Sequence, residues 1–303
     1  GGNLTLSASS GSAQLNVISG THYITPAKVE FASDTTINAS GNVTLSGTVN
    51  GVVVDAGKTV TVNNGGNVTI LGKLHLNGSG TQVVFADKTA HTTGSILVLD
   101  GVSAVDGGGQ INISSNNVLV HSATEASVVS TLIGSTNSGK IYSSSVALNS
   151  AYALGILSGA DYNAAHSNHA LGAMPVAATD VVVSYTFAGD VNMDGKITTV
   201  DYAQIDAAYL SGLYTTSGAL WINGDTNHDG VINLTDFANI DAAFTIYSGG
   251  GYVALARVAE DAARFGDAFT AAYDAALASV PEPASLSLLV LGAGCLLGRR
   301  RRS

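Results

Sequence analysis

The sequence predicts a mainly β N-terminal region, followed by a small all-α unit on two acidic loops and by C-terminal helices. Three observations carry this. Residues 1–120 consist of short runs of alternating apolar and polar residues cut by Gly, Asn and Asp, the pattern of strands with one buried face. A pentapeptide recurs among those runs. Further on, a twelve-residue acidic loop is written twice, 35 residues apart, each copy leading into the same apolar stripe of helical spacing.

Composition narrows the functional classes. The 303 residues carry 12 Lys and Arg against 22 Asp and Glu, with 46% hydrophobic and only 11% charged. That length suits one large domain or about two or three smaller ones, and the balance excludes a disordered tail. A net charge of −10 argues against nucleic acid as a partner, since phosphate binding needs clustered cations. Arg299, Arg300, Arg301 and Arg302 supply four of the basic residues, so residues 1–279 hold 8 basic and 21 acidic side chains, a net of −13. The single Cys295 cannot pair within the chain and reads as a small hydrophobe. An excess of Gly, Ser, Thr, Asn and Val reads as an extracellular β composition. The chain opens on Gly with no basic and apolar leader, so a removed signal peptide or a fragment is expected.

Taken in order, residues 1–120 form the β-rich region. Asn42–Ser46, Lys58–Val62, Lys73–Leu76 and Gln110–Ile113 are its clearest strands. Gly-Asn-Leu-Thr-Leu begins at Gly2, Gly-Asn-Val-Thr-Leu at Gly41 and Gly-Asn-Val-Thr-Ile at Gly66. The last two are 25 residues apart, which suits one solenoid coil. The first interval is 39, so the period is imperfect. A parallel β-solenoid is the first choice and a β-sandwich the second. Residues 121–185 loosen into an Ala, Ser and Asn-rich connection, with Tyr142, Tyr152 and Tyr162 spaced by ten and a strand at Val181–Phe187. Residues 186–248 hold the two loops. In 249–279, Val258, Phe265, Phe269, Tyr273 and Leu277 line one face of an Ala-rich helix expected to pack through that face. Residues 280–303 contain Pro281, Glu282 and Pro283, then a nearly uncharged run from Ala284 to Gly298, then the four arginines. Fifteen residues make about 22 Å of helix, short of the roughly 20 residues of a comfortable membrane span.

The loops have the spacing of a calcium loop: oxygen donors at positions 1, 3, 5 and 12, with Gly at position 6. The first supplies Asp190, Asn192, Asp194 and Asp201 around Gly195, and the second Asp225, Asn227, Asp229 and Asp236 around Gly230. Lys196 and Val231 would contribute backbone carbonyls at position 7, and Thr198 and Asn233 would bind at position 9 directly or through water. Two calcium ions are expected, because a hard cation seeks six to eight oxygens in a flexible shell. Three carboxylates per loop compensate the ion and repel one another without it, so folding is expected to be coupled to binding. Tyr202, Ile205 and Tyr209 match Phe237, Ile240 and Phe244, giving two helix faces that can bury each other.

A loop followed by a helix, with no helix before the first loop, resembles the type I dockerin family. That resemblance covers about 60 residues and implies two calcium ions and a cohesin-type partner. Many dockerins contact cohesin through a Ser/Thr pair at loop positions 10 and 11. Here those positions are Thr199 with Val200 and Leu234 with Thr235, half apolar. Asp206 and Asp241 recur at equal positions and read as solvated helix faces. The tail resembles the PEP-CTERM sorting signal, which implies export, a transient membrane insertion and removal of the arginines by exosortase. The whole arrangement resembles exported proteins of planctomycetes and related bacteria.

A search for catalysis finds less. His166 and His169 are close in sequence but lack a nearby acid cluster. No His-Glu-x-x-His, nucleophile elbow or phosphate loop is present. Asp100 and Asp106 are the candidate carboxylate pair for glycan cleavage, though each sits in an Asp-Gly turn dipeptide. The expectation is a non-enzymatic surface protein, structural or adhesive, with a calcium-dependent module, and a glycan is a further candidate partner of the β-rich region. The alternative is an extracellular polysaccharide-degrading enzyme or its appendage.

Overall fold

The computed structural model describes residues 2–63, 66–87, 94–134, 139–149, 151–213, 218–249 and 252–278. From Asn3 the chain winds through about five coils of three short strands, and each coil adds one strand to each of three sheets. The first sheet stacks β1 (Asn3–Leu6), β4 (Lys28–Phe31), β7 (Val52–Val54), β10 (Leu74–Leu76) and β13 (Val105–Gly107) in parallel. The second stacks β2 (Ala13–Val17), β5 (Thr35–Ala39), β8 (Thr59–Asn63), β11 (Gln82–Phe85) and β14 (Gln110–Asn112), and adds β16 (Ile141–Tyr142). The third stacks β3 (Thr21–Ile24), β6 (Asn42–Ser46), β9 (Val68–Leu71), β12 (Ile96–Leu99) and β15 (Asn117–Val120). Its far side is finished by two antiparallel strands, β20 (Val181–Phe187) and β17 (Tyr152–Ser158). The β-solenoid is therefore the fold, and the sandwich is set aside.

Alternation builds the core. In β8, Val60 and Val62 point inward between half-exposed Thr59, Thr61 and Asn63. Like residues stack into columns, such as Ile37 on Val62 and Leu45 on Ile70, and all four are at most 3% exposed. Each fully buried aliphatic side chain contributes about 1.5–3 kcal/mol. Outside, Asn38 bonds to Gln14 and Asn16 at 2.9 and 2.8 Å, and Asn63 to Asn38 at 3.3 Å. The repeat irregularity has a simple cause. Val43 pairs with Val68, so the copies at Gly41 and Gly66 are stacked in the third sheet, whereas the copy at Gly2 enters the first sheet. Gly41 and Gly66 turn one corner, where a Cβ on Gly66 would lie 2.1 Å from the Gly41 carbonyl oxygen.

The connecting region caps the solenoid. Helix α1 (Glu125–Val128) continues as a wide turn to Ile133 and inserts Val128, Leu132 and Ile133 into the end of the core. Beside it lies α2 (Ser144–Leu148). Helix α3 (Gly159–Ala165) and the hairpin β18 (Ala170–Leu171) and β19 (Met174–Pro175) accompany a second cluster on the outer face of the third sheet, with Val98, Leu119, Tyr162, Leu171 and Val182. The ten-residue tyrosine spacing is not a packing repeat. Tyr152 stacks on Tyr185 and Phe187, and Tyr162 stacks on His166.

Four helices complete the described chain: α4 (Thr199–Ala208), α5 (Leu234–Tyr247), α6 (Tyr252–Phe265) and α7 (Asp267–Ala278). The single helix expected over 249–279 is two, broken at Gly266, whose φ of +75° favours glycine. Its apolar face packs as expected, with Phe269 and Tyr273 buried in one cluster with Phe237 and Ile240. Among the described residues no helix is long and apolar enough to cross a membrane. Pro281, Glu282, Pro283, the 284–298 run and Arg299 to Arg302 lie outside the described residues.

Candidate metal centre

Each loop is shaped by its own side chains. Asp190 accepts the amides of Asp194 at 3.0 Å and Gly195 at 2.9 Å, and Asp225 accepts those of Asp229 at 3.1 Å and Gly230 at 2.8 Å. Gly195 and Gly230 take φ of +82° and +86°, the left-handed turn for which position 6 requires glycine. Position 4 is also left-handed, in Met193 and His228 at +58° and +59°. Asn192 and Asn227 accept the Asp194 and Asp229 amides at 3.0 and 2.9 Å. Asp194 and Asp229 in turn accept the amides of Lys196 and Val231, each at 3.0 Å.

Positions 9 and 12 also start the helices. Thr198 and Asn233 are the N-caps of α4 and α5, accepting from Val200 and Thr235 at 3.2 and 2.8 Å. Asp201 and Asp236 close the capping boxes and reach back to the Val191 and Thr226 amides at 3.0 and 2.9 Å. One carboxylate thus ties the start of each loop to the first turn of its helix.

The electrostatics single these groups out. Asp190, Asp201 and Asp236 are 0% exposed and Asp225 is 2%. Burial pushes Asp190 and Asp236 up to about 7 and Asp225 up to about 6, and raises Asp201, with neighbouring loop carboxylates adding to the shift. Among the described residues none of the four is ion-paired with Lys, Arg or His. Buried carboxylates without a cation are costly. No three Asp, Glu, His or Cys side chains among the described residues converge tightly enough to enclose an ion. The carboxylates bond instead to loop amides. The donor set nonetheless fits a hard divalent cation: oxygen only, acidic, and repeated in order.

Asp206 and Asp241 depart from the solvated faces expected of them. Asp206 pairs with Arg264 at 2.9 Å and Arg257 at 3.6 Å. Asp241 is 0% exposed and accepts the Tyr202 hydroxyl at 2.6 Å. Helix α6 crosses both loop helices, placing Arg257 over the Tyr202 ring and Arg264 over the Phe237 ring. His166 donates to the Asn192 carbonyl at 2.9 Å. Asp106 is tied to His75 at 2.6 Å, and Asp100 is exposed.

Sequence comparison agrees with this geometry. Residues 188–245 match the Dockerin type I domain family, and residues 279–302 match the PEP-CTERM protein-sorting motif. No curated protein and no solved structure matches the chain. The chain thus carries a type I dockerin domain and a PEP-CTERM sorting motif, which mark it as exported to the cell surface or the extracellular space.

Proposed function

We propose that this chain is a non-enzymatic surface protein whose solenoid carries a calcium-dependent docking module for a cohesin-type partner. The observation that carries the reading is the set of four buried carboxylates, Asp190, Asp201, Asp225 and Asp236, in two loops of one pattern, with no ion pair to any of them among the described residues. Asp190, Asn192, Asp194 and Asp201 would hold one ion, with Thr198 and the Lys196 carbonyl. Asp225, Asn227, Asp229 and Asp236 would hold a second, with Asn233 and the Val231 carbonyl. Bound calcium supplies the positive charge that the buried carboxylates lack. The chain's own part is to fix the loop turns and start the two helices, so partner affinity follows ion occupancy. The sorting motif implies exosortase processing of the tail. A structural or adhesive role for the solenoid is supported by its filled core, which stacks coil on coil.

Immobilised full chain should retain a protein partner from envelope extract in calcium and release it in EGTA. Equal retention in EGTA would contradict calcium-gated docking. Glycan cleavage abolished by Asp100→Ala or Asp106→Ala would favour the enzyme instead.

A further inference from the structure

The calcium loops are set into the end of the solenoid rather than hung from it. Strand β20 ends at Phe187, and only Ala188 and Gly189 precede the first loop residue, Asp190. Three bonds cross the joint, and a fourth, from Trp221 between the loops, braces the first loop beside it. The Thr186 hydroxyl on β20 donates to Oδ2 of Asp190. Trp221 Nε1 donates to the Asp190 carbonyl at 2.9 Å. His166, after α3, donates to the Asn192 carbonyl at 2.9 Å, and His228 donates to the Leu154 carbonyl of β17 at 2.8 Å. Gly155 leaves room for this contact, because a Cβ there would lie 2.8 Å from Met193 and 2.9 Å from Trp221.

The two loops use the solenoid differently. The Asp190 carboxylate has three donors, two from its own loop and the third from Thr186. The residue 35 positions after Thr186 is Trp221, which has no hydroxyl to offer Asp225. The second loop carries its own hydroxyl, on Thr226, which donates to Asp236 at 3.1 Å and accepts from Asn239 at 2.9 Å. Its counterpart in the first loop is Val191. We infer that the solenoid completes the first calcium site, with Thr186 as a positioning residue that holds Asp190 toward the ion, while the second site is complete within its own loop. The inference rests on the calcium reading above. Partners of ligating side chains orient them, and losing one costs about 10- to 100-fold in metal affinity. By reciprocity, an ion in the first loop must stabilise the strand that helps to hold it.

The test is calcium calorimetry on the full chain. Thr186→Val, which keeps the shape and removes the hydroxyl, should weaken one of the two binding events by about 10- to 100-fold and leave the other unchanged. Thr186→Ser should restore wild-type binding. Circular dichroism in saturating calcium checks that the Val variant is folded; if it is not, Thr186→Ala is compared with Thr186→Ser in its place. Hydrogen exchange should show β20 amides losing protection in EGTA. Equal binding by the Val and Ser variants, or β20 protection indifferent to EGTA, would overturn the inference while calcium binding stands. A wild-type chain that takes up no calcium would overturn the calcium reading itself, and this inference with it.

Discussion

Trp221 is the chain's only tryptophan and is 1% exposed. It lies between the two loops, bonding to the Asp190 carbonyl and packing on His228 with ring centroids 5.6 Å apart. Trp221→Phe keeps most of the ring and leaves that carbonyl without its donor. The expected loss is about 1–3 kcal/mol, read as a lower midpoint in thermal unfolding; an unchanged midpoint would show that the joint does not depend on this bond. A second residue-scale prediction concerns pH. Asp241 and Asp261 are both 0% exposed, and burial pushes them up to about 7 and about 6. Tyr202 and Asp206 face them from α4, and Arg257, Glu260 and Arg264 from α6. Their folded values exceed the ordinary carboxylate value, so the folded state keeps protons that the unfolded state has released. Their contribution is complete below about pH 4 and is lost as pH rises through about 6 to 7. In EGTA, Asp190, Asp225 and Asp236 add the same sign. Melting temperature in EGTA should therefore fall over that range, and Asp261→Asn should flatten the slope; an unaltered slope would remove Asp261 from the account.

At the scale of elements, the two loop–helix units are fastened crosswise. Gly189, before the first loop, packs on Ile240 of α5, and Gly224, before the second, packs on Ile205 of α4. A Cβ on Gly224 would lie 2.7 Å from the Ile205 side chain, at a φ of +94° that disfavours any L side chain. Gly224→Ala should cost about 2 kcal/mol or more through strain and overpacking. Denaturant unfolding checks this, and a neutral substitution would contradict the crossing. The paired stripes of Tyr202 with Ile205 and Phe237 with Ile240 were legible in the sequence because helical spacing exposes them. The ion pairs of Asp206 and the burial of Asp241 were not, because they depend on α6, which begins after Gly249 and returns across both helices. A spacing rule describes one helix and carries no information about what later crosses it. Likewise, the Gly266 break is hidden in an Ala-rich run whose apolar period continues across it.

For the whole molecule, the solenoid was legible because its alternation and its 25-residue echo both survive in the third sheet. The echo at Gly2 misled the period because the same pentapeptide serves two different sheets. The loop turns at Gly195 and Gly230 were legible one by one, since the twelve-residue spacing marks them. The joint was not. Met193 and His228 stand at position 4, where the ion makes no demand, and their contacts come from β17 more than thirty residues upstream. Only the folded solenoid end shows that loops, cap and helices meet there. Calcium titration of the full chain by isothermal calorimetry tests the central claim most directly. The account predicts two binding events, with one lost in Asp194→Ala and the other in Asp229→Ala. A wild-type chain that binds no calcium, or whose binding neither substitution alters, would contradict it.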